Sequence, residues 1–285
     1  MEKILILFFC ILGLSPASAQ QQEEVLARVN YSYFNQMDTL AHTKKPRNEQ
    51  MVLFIGRTAS LYTSFDKIRY SLAQDQRDQA EALKRSGQSG APSVVIIDDS
   101  PSDWMSKTDY FFFFTSHQLF AKQYLFYQAY LMEEPMPKIT WELKGDTANF
   151  LGIRCRQAIG RLNGREWTAW YAPELPFQSG PWKLNGLPGL IIEACNKDKS
   201  IEFKFAGFTN AKTNDFTRLN DVTKRTDYVP GSGRFNNVDI LLGRDIAAAY
   251  FENTIKLPSN ASKTTQAALD NMKTKRKLPI QKEIE

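Results

Sequence analysis

The chain has 285 residues and a net charge of +5, with 42% hydrophobic and 12% aromatic residues. That is enough apolar material for a sizeable core, in one large domain or two small ones. Its basic residues are spread out apart from Lys273-Thr-Lys-Arg-Lys277, which excludes the concentrated basic stripe expected of a nucleic-acid binder.

Residues 1–19 read as a secretory signal peptide. Lys3 supplies the positive start, Ile4 to Leu14 the apolar core, and Ala17-Ser-Ala19 the small-residue cleavage site. The apolar run of ~11 residues is short of the ~20 that span a bilayer. Phe8 and Phe9 stand before Cys10, where a lipoprotein signal places a small residue. The expectation is an exported protein of the periplasm or cell surface, without a lipid anchor or a later membrane span.

Residues 20–255 read as one β-rich domain. Val25 to Phe34 alternates with period two, with Val25, Ala27, Val29, Tyr31 and Tyr33 on one side, as a half-buried strand does. Residues 35–48 read as a polar connection, and Gln50 to Ile55 as a second strand. Asp66 to Lys84 has the character of a solvated helix, followed by a Gly/Ser linker, a short strand Val94 to Ile97 and a helix start at Ser100-Pro-Ser-Asp103. Residues 66–107 are therefore expected as an insertion between strands. Asp109 to Thr115 and Gln123 to Leu131 are aromatic-rich strands. Lys138 to Leu143 alternates, Gly145-Asp146 reads as a turn, and Phe150 to Leu162 reads as one long strand. Asn163-Gly164 then predicts a two-residue hairpin into Arg165 to Tyr171, because both positions accept positive φ. Leu190 to Cys195 and Ile201 to Phe208 form another hairpin. Residues 210–236 read as loops, Val238 to Phe251 as a short helix, and 256–285 as a basic, mobile tail with room for a helical turn or two at 264–273. The fold expected is mainly β (β-rich α+β): a curved antiparallel sheet or half-open barrel with a few short helices.

Gly180-Pro-Trp-Lys-Leu184 followed by Gly186-Leu-Pro-Gly-Leu-Ile191 resembles the signature of the GLPGLI family of Bacteroidetes proteins. Upstream, Gly164-Arg165, Trp167-Thr-Ala-Trp-Tyr171 and Leu175-Pro176 resemble it too. The resemblance implies no established activity. From the residues themselves, two prolines and three glycines make a rigid bent connection into a buried strand. The lysine precedes the last two glycines, unlike a phosphate loop. The alternative is a contact role for Gly186, Leu187, Pro188, Gly189, Leu190 and Ile191. Trp167, Trp170, Tyr171 and Trp182 join these as candidate contacts. Trp167 and Trp170, three apart on a strand, are expected on opposite faces.

Other candidates for chemistry are weaker. His42 and His117 stand alone, with no third group to position a catalytic base. Asp98 to Asp103 lacks the spacing of a calcium loop, and no short spacing of ligands implies a metal or cofactor. Cys155 and Cys195 are either a disulfide closing a loop of about 40 residues, worth ~3–4 kcal/mol, or two separate thiols. The functional expectation is a non-enzymatic envelope protein that binds an apolar ligand, a lipid or an outer-membrane partner. The rival is an accessory or structural subunit without a ligand pocket, and an uncharacterised hydrolase ranks third. The two leading readings differ in whether the sheet encloses an apolar cavity or a filled core.

Overall fold

The computed structural model describes residues 22–39, 46–86, 105–125, 128–211 and 242–275. The leader-like residues 1–19, His42 and the stretch Val94 to Asp103 lie outside these. Two antiparallel meanders make up the architecture. The first runs β2 (Ala27–Thr39), β3 (Pro46–Ile55), β4 (Ala59–Ser64), β5 (Thr108–Phe113), β6 (Gln118–Leu125) and β7 (Gln128–Glu134). The second runs β8 (Glu142–Phe150), β9 (Ile153–Leu162), β10 (Arg165–Ala172), β11 (Leu190–Asn196) and β12 (Ile201–Asn210). They join where β12 pairs antiparallel with β2 over Ile201 to Asn210. A short parallel strand, β14 (Ser262–Lys263), extends the far side, giving twelve strands with β14 and β8 as open edges. The sheet is curved and β-rich but does not close into a barrel. A separate pair joins β1 (Gln22–Glu24) to β13 (Thr254–Lys256).

Period-two patterning gives the sheet two buried faces. The front face gathers Val29, Tyr31 and Tyr33 with Met51, Leu53, Tyr62, Tyr110 and Trp167. The back face gathers Val52, Phe54, Leu61, Phe111, Phe113 and Phe120. Two helices cover that back face. In α1 (Phe65–Ser86), Ser64 caps the first turn by accepting the Lys67 N–H at 3.0 Å. Ile68 and Leu72 are buried on the back face, with Phe65 packed beside them. In α2 (Arg244–Phe251), Ile246 and Ala249 are buried there too. Arg28 crosses from β2 to donate to Tyr250 O at 2.7 Å and Asn253 Oδ1 at 2.6 Å. The cation thus sits at the C-terminus of α2, where the helix dipole favours it. Burial pushes its pKa down to about 10, with Tyr250 acting the other way.

Several elements differ from the sequence reading. Strands β2 and β3 continue into the supposed polar connection. Gln123 to Leu131 is divided between β6 and β7. Lys138 to Trp141 has no strand structure, and Gly145-Asp146 lies within β8 where its register with β9 slips between Leu143 and Thr147. The supposed long strand 150–162 contains a second tight hairpin, Leu151-Gly152, with φ of 49° and 91°. Asn163-Gly164 is the hairpin expected, with φ of 51° and 73°. The supposed tail is folded as far as Lys275. There α3 (Gln266–Lys275) buries Leu269 in the front-face core, and Lys273 donates to Gln123 Oε1 at 2.6 Å.

A buried charge network ties the back face together. Lys122 Nζ lies 2.5 Å from Asp245 and 3.1 Å from Asp109, whose other oxygen receives Lys67 and Thr63, each at 2.5 Å. Burial alone would raise the Asp109 carboxyl, but Lys67 and Lys122 outweigh it and hold it below the ordinary value. Likewise Asp245 and Asp109 overcome burial and raise Lys122. Lys122→Met leaves Asp245 buried without its cation and should cost about 3–5 kcal/mol in chemical denaturation. Because the folded Asp109 pKa is depressed, its contribution is present above the ordinary carboxylate range and lost as pH falls through the folded value. The acid limb of the stability profile, followed by chemical denaturation, should therefore flatten in Asp109→Asn.

Candidate functional site

The motif segment forms the front-face lining, and its path begins where β10 ends at Ala172. The Leu175 N–H donates to Ala172 O at 3.1 Å, and Leu190 N–H returns to Leu175 O at 2.9 Å. Ile191 N–H donates to Ser179 O at 3.0 Å. Residues 173–189 are thus a loop pinned at its two ends, and β11 re-enters beside β10, pairing Leu190 with Ala172. Gly189 makes that re-entry feasible. It sits at φ 151°, and a Cβ there would lie 2.3 Å from Ala172 O.

The loop's side chains turn into the sheet. Trp182, Leu184 and Leu187 are each at most 4% exposed, while Gly186 and Pro188 stay at the surface. Trp182 adopts φ 52°, an uncommon conformation for a bulky residue that its surroundings must hold in place. Its ring is 5.7 Å from Trp167, which stacks 6.1 Å from Phe203. Phe203 in turn meets Tyr33 at 5.2 Å and Tyr62 at 6.4 Å. Tyr31 Oη donates to Ile191 O at 2.6 Å, and Trp141 Nε1 to Asn185 O at 2.8 Å. Lys183 pairs with Glu134 and lies 5.1 Å from the Tyr110 ring centre. Trp170 faces the other side of β10, half-buried, with Phe150 5.9 Å away. Tyr171 returns to the front core, as do Leu190 and Ile191.

The motif lies inside the stretch that a family model recognises. That family, described as a protein of unknown function (Porph_ging), matches residues 123–193. No curated protein matches. Among solved structures, PNGF-II in a P21 space group is similar at 11% identity and TM-score 0.42, over 68% of this chain and 30% of that one. PNGF-II in a C2 space group is similar at 10% identity and TM-score 0.41, over 77% and 33%. This chain therefore spans about a third of the length of the structures it matches.

A polar cluster that the sequence reading missed lies on the same face. Glu49, 1% exposed, accepts the Ser106 N–H at 2.8 Å and its Oγ at 2.6 Å, with Arg47 Nη1 3.5 Å away. Burial pushes the Glu49 carboxyl up, partly offset by Ser106, Ser64 and Arg47. Arg47 and Glu49 belong to the polar run 46–50, where the charged positions alternate inward. Among the described residues, Tyr62 Oη and Trp167 Nε1 are buried without a hydrogen-bond partner. No three His, Cys, Asp or Glu side chains among the described residues gather as a metal site. His117 is exposed in the β5–β6 turn.

Of the two alternatives for the cysteines, the structure takes separate thiols. Cys155 is on β9 and Cys195 on β11, flanking β10 on opposite sides. Two strand spacings, ~10 Å, exceed the ~7 Å Cα separation that a disulfide can bridge. Burial, with Glu193 adding, pushes the Cys155 thiol up to about 11.

Two outcomes follow from this geometry. Gly189→Ala, which meets backbone and a disfavoured φ together, should lower the melting temperature far more than Gly186→Ala, where a Cβ finds open space. Thiol titration should count two free thiols after unfolding without reductant, and native Cys155 should stay nearly unreactive at pH 8, below its raised pKa.

Proposed function

We propose that this chain is an exported accessory protein of the cell envelope, of the GLPGLI kind, that works through surface contacts and not as an enzyme or a ligand carrier. The observation that carries this reading is the occupancy of the front face. A carrier of apolar molecules keeps a pocket lined by apolar side chains and fills it with ligand. Here the chain's own Trp182, Leu184 and Leu187 lie against Trp167 and the front core. The export part of the proposal rests on Lys3, the apolar run Ile4 to Leu14 and Ala17-Ser-Ala19. No helix among the described residues is long and apolar enough to cross a membrane.

A second reading keeps a small ligand inside the front face. It is supported by Tyr62 Oη and Trp167 Nε1, two buried donors without partners among the described residues. Buried polar groups are generally satisfied, and an acceptor atom on a bound molecule would satisfy them.

Native mass spectrometry of the protein secreted by its own cells separates the two. The accessory reading expects a bare chain beginning at Gln20. A stoichiometric apolar adduct would replace it with the carrier reading, and a chain that keeps residues 1–19 would remove the export premise.

A further inference from the structure

The β8–β9 hairpin ends in an arrangement that neither backbone preference nor solvation favours. Phe150 pairs with Ile153, leaving Leu151 and Gly152 as a two-residue turn. Leu151 sits at φ 49°, a position that Asn, Asp or Gly fills far more readily. Its side chain is 79% exposed, against 54% for Leu143 and 39% for Tyr70. Asn149 braces the turn, accepting the Gly152 N–H at 2.8 Å. The turn would be better served by a small polar residue at position 151, and so would solubility.

Behind the tip the two sides of the ribbon differ. Phe150 and Ile153 are half-buried on one side, backed by the Trp170 ring at 5.9 Å. Arg154 and Arg156 are exposed on the other, and neither makes an ion pair among the described residues. At ~3.3 Å per residue they stand roughly 7 and 13 Å behind Leu151. The acid opposite Trp170 is Glu193, two strands inward on β11. An apolar point backed by aromatic rings and followed by cations matches the layering of a bilayer surface. Acyl chains lie deepest, the zone favoured by Trp comes next, and phosphates follow. A point one residue wide is too small for a stable protein interface, which takes ~800 Å² per partner.

We propose that this hairpin tip docks end-on to an anionic lipid surface, with Leu151 entering the acyl boundary and Arg154 and Arg156 meeting the headgroup phosphates. The proposal deepens the contact-working reading and rests on it. Vesicle binding is scored separately from co-purifying adducts, so either can fail alone.

The test is co-sedimentation of the full secreted chain with phosphatidylglycerol/phosphatidylcholine vesicles and with phosphatidylcholine alone, at low salt. Leu151→Asn should lower partitioning roughly tenfold, as expected for removing one buried Leu. Its melting temperature should hold or rise, since Asn accepts the turn's φ. Replacing both arginines (R154Q with R156Q) should abolish the preference for anionic vesicles. Failure of the wild type to sediment with anionic vesicles overturns the proposal, as does a Leu151→Asn protein that sediments like wild type. Leu151-dependent self-association without vesicle binding would assign the tip to a protein partner and overturn it as well.

Discussion

The approach of Gly189 to the carbonyl of Ala172 is the constraint on which the motif face depends. β11 pairs with β10 from Leu190 onward, so the loop between them must begin and end at one place. A side chain at 189 would occupy the space of the Ala172 carbonyl. With both ends fixed, residues 173–189 form a closed loop, and it folds back over the front face. Trp182, Leu184 and Leu187 then become core residues although they belong to no strand or helix. Truncating a buried Trp costs about 3–5 kcal/mol, a large part of the margin by which a domain stays folded. Packing thus accounts for the motif Gly186-Leu-Pro-Gly-Leu-Ile191: two residues at the surface, the rest inward.

The back face is organised by charge instead of by a loop. Lys122 lies between Asp109 on β5 and Asp245 on α2, and Asp109 is shared with Lys67 on α1. Two lysines face two aspartates, so the group is balanced. Buried ion pairs contribute little net stability against an apolar alternative, but breaking one is costly. This network therefore specifies where α1 and α2 sit more than it drives folding. Arg28 does the same at the C-terminus of α2. Among the described residues both faces are thus covered by the chain's own side chains.

Legibility in the sequence followed local signals. The strand from Ala27 to Tyr33 was readable because strict apolar–polar alternation suits a half-buried strand and little else, although Val25 precedes β2 and packs with the back face. The turn at Asn163-Gly164 was readable because both residues tolerate positive φ. Leu151-Gly152 was not, since leucine in a left-handed turn carries no turn signal, and the turn was placed six residues early at Gly145-Asp146. Arg47 and Glu49 hid the start of β3, because inward-facing charges break the expected pattern. The run Lys138 to Trp141 alternates yet forms no strand; it leads Trp141 over Gly160, where a Cβ would come within 2.6 Å of the indole. A helical turn or two was readable at 264–273; that α3 buries Leu269 in the front-face core was not, because its few apolar residues carry a weak signal. At the candidate site, the opposite orientations of Trp167 and Trp170 were readable from parity. The filling of the front face by Trp182 was not, because it depends on where the loop closes in space.

Equilibrium titration of the protein and its Trp182→Ala variant with an apolar fluorescent probe bears most directly on whether the front face is filled. The account predicts no saturable site in the wild type and a one-to-one site in the variant, where removal of the indole leaves space beside Trp167. Saturable one-to-one binding to the wild type would contradict it and show that the sheet holds a ligand of its own.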